Sequence, residues 1–307
     1  MPEVIAILCS DIHLSHRPPI SRSVEPDWYE AMARPLRELE DLQTTDNGCV
    51  PVICGGDLFD RWNSPPELIN FALDHLPEMY SIPGQHDLPY HGIEEIRKSA
   101  YWTMGSAKKV WSLRLGEVVE LGDRLKIWGF PFGSKLQSCP PIRHVGVKLL
   151  VAHQYVWKKK QNYPMQTPLN YAPSMQQMLE GYDVALFGDN HKGFLHKTKK
   201  KTTIFNAGTF MRRTSAERNY KPMVGFLLED GTVKEHFLDT SQDKFLSDSV
   251  LPFVEQTMLH LEGFLEGLKE LGDSGLDFKR VLESTLVAYG ASKAVRRVIL
   301  EAMEEKK

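Results

Sequence analysis

The sequence predicts an α/β fold in which mixed β-sheets form a sandwich flanked by helices. Three observations predict it. Short β-branched runs such as VIAILCS, VPVICGG, LLVAHQ and DVALFGD recur along residues 1–237 and read as buried strands. The early runs are separated by stretches of helical character, as in βαβ units. The later runs are joined by tight turns, Leu121-Gly122-Asp123-Arg124 and Glu229-Asp230-Gly231-Thr232, as in antiparallel hairpins.

In chain order, strands are expected near 4–9, 51–54, 79–82, 109–114, 117–121, 125–130, 147–152, 183–187, 202–206, 223–229 and 232–237. Helices are expected near 27–43 and 66–75. The second opens with Asn63-Ser64-Pro65-Pro66-Glu67, which places proline in the first turn, where its missing N–H costs nothing. After Asp239 the pattern changes. Leu251, Val254, Met258, Leu261, Phe264, Leu265 and Leu268 fall at helical spacing, and two further helices are expected near 276–288 and 291–305. Gly290 suits the end of the first of these and Ser292 the N-cap of the second. Residues 1–239 thus read as one α/β domain and 240–307 as a helical appendage for capping, dimerisation or partner binding. Its last helix carries an apolar face, Val295, Ile299, Leu300 and Met303, best used in packing.

Bulk properties narrow the classes. At 307 residues with 42% hydrophobic and 25% charged residues, the chain can bury a large core. A net charge of −3 gives no global signal for polyanions, so any such binding is local. The four cysteines form no CxxC pair, and Cys9 and Cys54 fall inside predicted buried strands. That favours a reducing compartment. With no leader-like segment and no membrane-length apolar run, the expected location is cytoplasmic.

Five polar segments end apolar runs: Asp11-Ile12-His13, Gly56-Asp57-Leu58-Phe59-Asp60, Gly84-Gln85-His86-Asp87, Ala152-His153-Gln154 and Gly188-Asp189-Asn190-His191. Strand ends put residues on loops at one sheet edge, where α/β proteins place their sites. Any one segment reads as a capped turn. Five in order point to a shared ligand, because apolar strands do not otherwise end repeatedly in carboxylate and imidazole. Two neighbouring divalent ions need a bridging carboxylate and a ring of hard or borderline ligands.

The order of these segments resembles the calcineurin-like metallophosphoesterases, whose pattern runs DxH, GDxx(D/N), GNH(D/E), a lone His and GHxH. The resemblance covers residues 11–191. It implies a four-layer sandwich, two mixed sheets flanked by helices, with two metals at the strand ends. Carried over, Asp11, His13, Asp57 and His191 would hold one ion. Asp57, Gln85, His153 and Asp189 would hold the other, with Asp57 bridging. A hydroxide between the ions would attack phosphorus in line. His86 would protonate the leaving oxygen, Asp87 would orient His86, and Asp60 would stand behind the ligands.

Two positions depart from the family. Gln85 replaces an asparagine and keeps the carbonyl donor one methylene further out. Asp189 replaces a histidine and makes a third carboxylate with Asp11 and Asp57. More oxygen donors shift the expected metal toward Mn²⁺, with Mg²⁺ second and Zn²⁺ behind.

Within the family the chain looks most like SbcD-type DNA-repair nucleases, through Gly56–Asp60 with Ser64-Pro65-Pro66, and Asn206-Ala207-Gly208-Thr209 with Glu217. That implies DNA as substrate, an SbcC-type ATPase partner and a homodimer. Lys158, Lys159, Lys160, Lys192, Lys197, Lys199, Lys200, Lys201, Arg212, Arg213 and Arg218 follow ligand segments and could track phosphates; the Lys197–Lys201 stretch reads equally as a solvated hairpin tip. Tyr155, Trp157, Tyr163 and Phe210 could stack on bases, though loop anchoring is the commoner use. His16, His91 and His196 read as solvated loop histidines. Competing readings are a phosphoesterase for a small molecule, nucleotide or phosphoprotein, and a weakly active metal-binding scaffold in an ATPase–nuclease complex.

Overall fold

The computed structural model describes residues 2–45, 48–141, 144–160 and 166–247. The helices expected within 251–305, and Tyr163, lie outside the described residues. Strand β1 (Val4–Cys9) is followed by helix α1 (Trp28–Gln43), whose N-cap Asp27 accepts the Glu30 amide at 3.1 Å. A two-residue hairpin, β2 (Thr44–Thr45) and β3 (Gly48–Cys49), leads to β4 (Val52–Cys54). Helix α2 (Pro66–His75), β5 (Met79–Ser81), α3 (Ala100–Ser106) and β6 (Val110–Ser112) complete the first βα half. The second half holds β7 (Val118–Leu121), β8 (Leu125–Phe130), β9 (Val147–Ala152) and β10 (Val184–Phe187). It continues through β11 (Phe194–Lys197) and β12 (Thr203–Asn206), and β13 (Met223–Leu228) and β14 (Val233–Phe237) return to the first sheet.

Two six-stranded mixed sheets result, ordered β14-β13-β1-β4-β5-β6 and β11-β12-β10-β9-β8-β7. In the first, β1, β4, β5 and β6 run parallel and β13 pairs antiparallel with β1. In the second, β12, β10, β9 and β8 run parallel, and β11 and β7 close the edges antiparallel. The two turns read from sequence are the β7–β8 and β13–β14 hairpins.

Burial follows the pleat. Leu8, Ile53, Leu149, Val151, Leu186 and Phe205 fill the layer between the sheets. Ile7, Val52 and Met79 on the other face of the first sheet pack under Met32, Leu36, Leu68 and Tyr101 from the three helices. The outer face of the second sheet is covered by Ala172, Met175, Leu179 and Tyr182, from 3-10 turns and loop. Among the described residues, no helix is long and apolar enough to cross a membrane.

Chain contacts divide the protein after Phe245. Residues 240–245, which the sequence pattern groups with the appendage, lie in the first unit: Asp243 pairs there with Arg22 at 2.8 Å and with Arg212 at 2.8 Å.

Candidate metal centre

The parallel strands β1, β4 and β5 of one sheet and β9 and β10 of the other all end at one edge. Asp11, His13 and Asp57 are non-glycine residues in the left-handed region, with φ of 52°, 50° and 53°, and Asp189 joins them at 75°. Such backbone is costly and persists where surrounding structure over-determines it, which is common at functional sites. Here Asp11 donates its N–H to the Gly56 carbonyl at 3.0 Å and His13 to the Asp57 carbonyl at 2.9 Å, lacing the two strand-end loops together. Glycine is obligatory between them. Gly56 has φ +103°, and a Cβ there would lie 2.5 Å from His153 Nδ1; at Gly84 it would lie 2.1 Å from Asp57 Oδ1.

Asp57 sits at the centre. Its Oδ2 is 3.6 Å from His13 Nε2 and 3.3 Å from His153 Nε2, while its Oδ1 accepts the His86 N–H at 2.9 Å. Asp11 Oδ1 lies 3.8 Å from both His13 Nε2 and His191 Nε2, and the two imidazoles face each other at 3.1 Å. Three groups bring potential ligand atoms within 4.8 Å of one another: Asp11–His13–His191, His13–Asp57–His86 and Asp11–Asp57–His153.

The ring orientations suit ligation. His153 Nδ1 donates to the Gly55 carbonyl at 2.7 Å, which turns Nε2 toward Asp57. His86 Nδ1 donates likewise to the Asp60 carbonyl at 2.8 Å. The Gln85 amide gives its NH₂ to Asp189 Oδ1 at 2.9 Å; a carboxylate only accepts, so the carbonyl Oε1 must point elsewhere. Asp11 Oδ2 and Gln85 Oε1 are buried without a hydrogen-bond partner, and Asp57 Oδ2 and His153 Nε2 have only each other, at 3.3 Å. Burying so many lone pairs together is expensive unless a cation takes them. The residues therefore fit divalent metal.

Electrostatics agree. Burial pushes the Asp11 carboxyl up to about 6, against the nearby charges of His153 and His191. Burial also opposes charge on Asp57, but His153, His13 and His86 prevail and hold it below the usual carboxylate range. His153 loses by burial and gains more from Asp57, which raises it. His13 is held well below its ordinary value by burial. In the absence of metal, then, the Asp57 charge is offset by a proton on His153, which a divalent ion would displace.

Some sequence-predicted residues land differently. The family pattern expects Asp87 to orient His86. Instead its carboxylate accepts three backbone amides, from Leu58 at 3.2 Å, Phe59 at 3.1 Å and Gly84 at 3.1 Å. It braces the loops on either side of Asp57, and burial with the Asp57 charge pushes it to about 7. Asp189 belongs to none of the three clusters; its own N–H donates to Asp11 Oδ1 at 3.1 Å, and its carboxylate accepts from Gln85. His86, expected only as a proton donor, packs edge-on to His13 with centroids 4.9 Å apart.

The arginines expected along phosphates are committed within the protein. Arg212 binds Asp243 and the Thr240 carbonyl, Arg213 binds Asp60, and Arg218 stacks on Phe245. Phe210 and Tyr155 are buried, and Trp157 pairs with Tyr171 at 4.5 Å while donating to Asn170, so these aromatics anchor loops. A groove of about 830 Å³ beside His191 is lined by Lys158, Lys159 and Lys192 together with Phe194, Tyr220, Glu217 and Glu235, and Lys158 Nζ donates to the Leu195 carbonyl at 2.8 Å. Asp60 stands where the resemblance implies, behind the ligands, 3.9 Å from His13 Nδ1; a carboxylate whose place here the sequence did not give is Glu217, with Oε1 3.9 Å from His191 Nδ1.

A two-sheet sandwich with an Asp/His cluster at its parallel strand ends defines a metal-dependent phosphoester hydrolase. The model of the calcineurin-like phosphoesterases matches residues 6–193, and the chain belongs to that family. Similar solved structures include the sulfate thiohydrolase SoxB of Thermus thermophilus, at 12% identity and TM-score 0.46, with 84% of this chain and 61% of that chain covered. An archaeal phosphodiesterase matches at 14% identity and TM-score 0.39 over 76% of this chain and 99% of that one. A single mutant of Vps29 from Entamoeba histolytica matches at 18% identity and TM-score 0.36 over 77% and 99%. The chain thus spans under two thirds of the SoxB length and nearly all of the other two. No curated protein matches it.

Proposed function

We propose that this protein is a dinuclear metal-dependent phosphodiesterase acting on nucleic acid, with DNA as the first candidate. The observation that carries this reading is the groove of about 830 Å³ that runs from Asn190 and His191 past Lys158, Lys159 and Lys192. A phosphate chain laid in it would meet these lysines and His191, the ligand-cluster residue among its lining.

Asp11, His13, Asp57 and His191 would hold one ion and Asp57, Gln85 and His153 the other, with Asp189 fixing the Gln85 amide. Bound metal would supply a nucleophile at neutral pH and neutralise charge on the phosphoryl oxygens. The chain's own residues do the rest. Asp57 fixes the spacing of the two sites. His86, with Nδ1 tied to the Asp60 carbonyl, turns Nε2 to the site and can give a proton to the leaving oxygen. Asp87 holds the loops still. The donor set is richer in imidazole than the sequence count of three carboxylates implies, because Asp189 is engaged with Gln85. That removes part of the reason for preferring Mg²⁺ or Mn²⁺ to Zn²⁺; Mn²⁺ is the first metal to test, with Zn²⁺ beside it.

The same reading carries an SbcC-type ATPase partner, a homodimer and work in the cytoplasm, the last supported by buried, unpaired Cys9 and Cys54. The test is hydrolysis of labelled single- and double-stranded DNA with Mn²⁺, Mg²⁺ or EDTA, beside Asp57→Ala. Metal-dependent cutting that disappears in the variant is the expected result. Hydrolysis of bis(p-nitrophenyl) phosphate without DNA cleavage would move the assignment to a small substrate.

A further inference from the structure

We propose that residues 240–245 form a strap that positions the imidazoles of His13 and His191 for metal, an inference that rests on the metal-dependent reading above. The strap is centred on Asp243. Its Oδ1 accepts from Arg22 at 2.8 Å and Arg34 at 3.3 Å, and its Oδ2 from Arg212 at 2.8 Å. The next residue, Lys244, donates its N–H to Glu25 at 2.8 Å, and Glu25 also pairs with Arg22. Phe245 then lies under three guanidinium groups, those of Arg22 at 5.1 Å, Arg218 at 5.2 Å and Arg212 at 5.3 Å. Arg22 and Glu25 are buried, so this network is closed to solvent at its centre.

What the strap grips is the loop 212–218. Arg22 Nη1 donates to the Arg212 carbonyl at 2.5 Å, and Arg212 in turn donates to the carbonyls of Thr240 at 2.7 Å and Arg218 at 2.6 Å. Ser21 holds the Arg213 carbonyl. The loop is therefore fixed at both ends and along its back.

The other side of that loop reaches the metal centre twice. Arg213 Nη2 holds Asp60 Oδ1, which stands 3.9 Å from His13 Nδ1. Glu217 Oε2 accepts the N–H groups of Arg213 at 2.7 Å and Thr214 at 2.9 Å, which leaves Oε1 facing His191 Nδ1 at 3.9 Å. Each histidine thus has a carboxylate behind the nitrogen opposite the cluster. A carboxylate there fixes the tautomer and raises ligand basicity once Nε2 binds metal. His13 Nδ1 is buried with no acceptor in hydrogen-bond range, so a short movement of Asp60 would satisfy it. The strap sets how far both carboxylates stand from their rings. Asp60, Glu217, Arg213 and Asp243 are positioning residues in this account.

The test is Mn²⁺ titration calorimetry on the full chain, wild type beside Asp243→Ala, Asp243→Glu and Glu217→Gln, with the absorption spectrum of the Co²⁺-loaded proteins as a second readout. Asp243→Ala and Glu217→Gln should weaken Mn²⁺ by roughly 10- to 100-fold. They should also shift the Co²⁺ ligand-field bands, and Asp243→Glu should restore most of both. Unchanged affinity and spectrum in a folded Asp243→Ala protein would overturn the strap. Should Asp243→Ala not fold, Glu217→Gln decides, because it keeps the strap and removes only the acceptor facing His191; wild-type affinity and bands there would also overturn it. A wild-type chain that binds no Mn²⁺ would instead overturn the metal reading, and the strap with it.

Discussion

The two sheets contribute unequally to the centre. The first gives Asp11, His13 and Asp57 on left-handed backbone, with side chains almost fully buried and loops tied by main-chain hydrogen bonds. The second gives His153, equally buried, but also His191, whose side chain is 40% exposed. Its loop has one main-chain tie, from the Thr209 N–H to the His191 carbonyl at 3.1 Å, and is otherwise held by side chains: Asn206 Nδ2 donates to the carbonyls of Asn190 at 2.7 Å and Lys192 at 3.1 Å, and the Tyr220 hydroxyl accepts from Gly193 at 3.1 Å. Main-chain ties and missing Cβ atoms admit no small adjustment, whereas side-chain ties do. Under the proposed function the first half would set metal spacing, and the second half, next to the lysine groove, would meet substrate.

The sharpest way to break this division is to disturb the rigid half by one methyl group. Gly84→Ala puts a Cβ 2.1 Å from Asp57 Oδ1 and 2.6 Å from its backbone nitrogen, with no flexible side chain able to yield. Displacing a reacting geometry by about 1 Å costs on the order of 100-fold, so kcat on a phosphodiester should fall by at least that much. Steady-state hydrolysis with saturating Mn²⁺ checks it. A near-normal rate would mean the rigid half is not what sets the spacing.

The second expectation concerns protons in the same half. Burial lifts Asp11 to about 6. Below that pH the carboxyl holds a proton that metal must displace; above it the ligand is free. Affinity should therefore fall more steeply below pH 6, by up to roughly a further tenfold per pH unit, on top of the pH dependence that displacing the His153 proton imposes on both sides of pH 6. Calorimetry in buffers of different ionisation enthalpy would show proton release. A flat profile between pH 5 and 7 would sink the point.

Much of this is legible in the sequence, for a physical reason. Strands buried on both faces must be continuous β-branched runs, and a polar residue ending each run marks the sheet edge where the strand stops. The eleven expected strands all have counterparts among the fourteen strands of the described residues, which is why the edge and its polar residues can be read. Strand β11 escapes because Phe194-Leu195-His196-Lys197 is a half-exposed edge without alternation, held only by pairing to β12. Helix α3 is seven residues, too short for a periodic stripe, though Ser99 caps it by accepting the Trp102 amide at 3.2 Å. The Asp87 role is misread because adjacency in sequence does not give adjacency of side chains: Asp87 turns back under Asp57 while His86 turns out. The Arg22–Glu25–Asp243 network joins positions 221 residues apart and leaves no local pattern.

On the softer half, the groove lysines give a moderate effect. Lys159→Ala with Lys192→Ala should weaken DNA binding several-fold and lower the slope of log K against log salt by about 1 for each phosphate no longer neutralised. Metal affinity should stay unchanged, because neither side chain belongs to the ligand clusters. Fluorescence anisotropy at several salt concentrations separates the outcomes. An unchanged slope would remove the groove from the substrate path.

The smallest expected effect is Tyr220→Phe. The hydroxyl accepts the Gly193 N–H at 3.1 Å and donates to the Ala207 carbonyl at 3.3 Å, tying the loop after His191 to the segment after β12. Removing it leaves a half-buried donor and acceptor that water can partly serve, so stability should drop by about 1 kcal/mol. Because this tie reaches His191 and not Asp57, KM should rise with kcat little changed, the reverse of the Gly84→Ala pattern. A fall in kcat with KM constant would show that the second sheet sets spacing too, and the division between the halves would have to be given up.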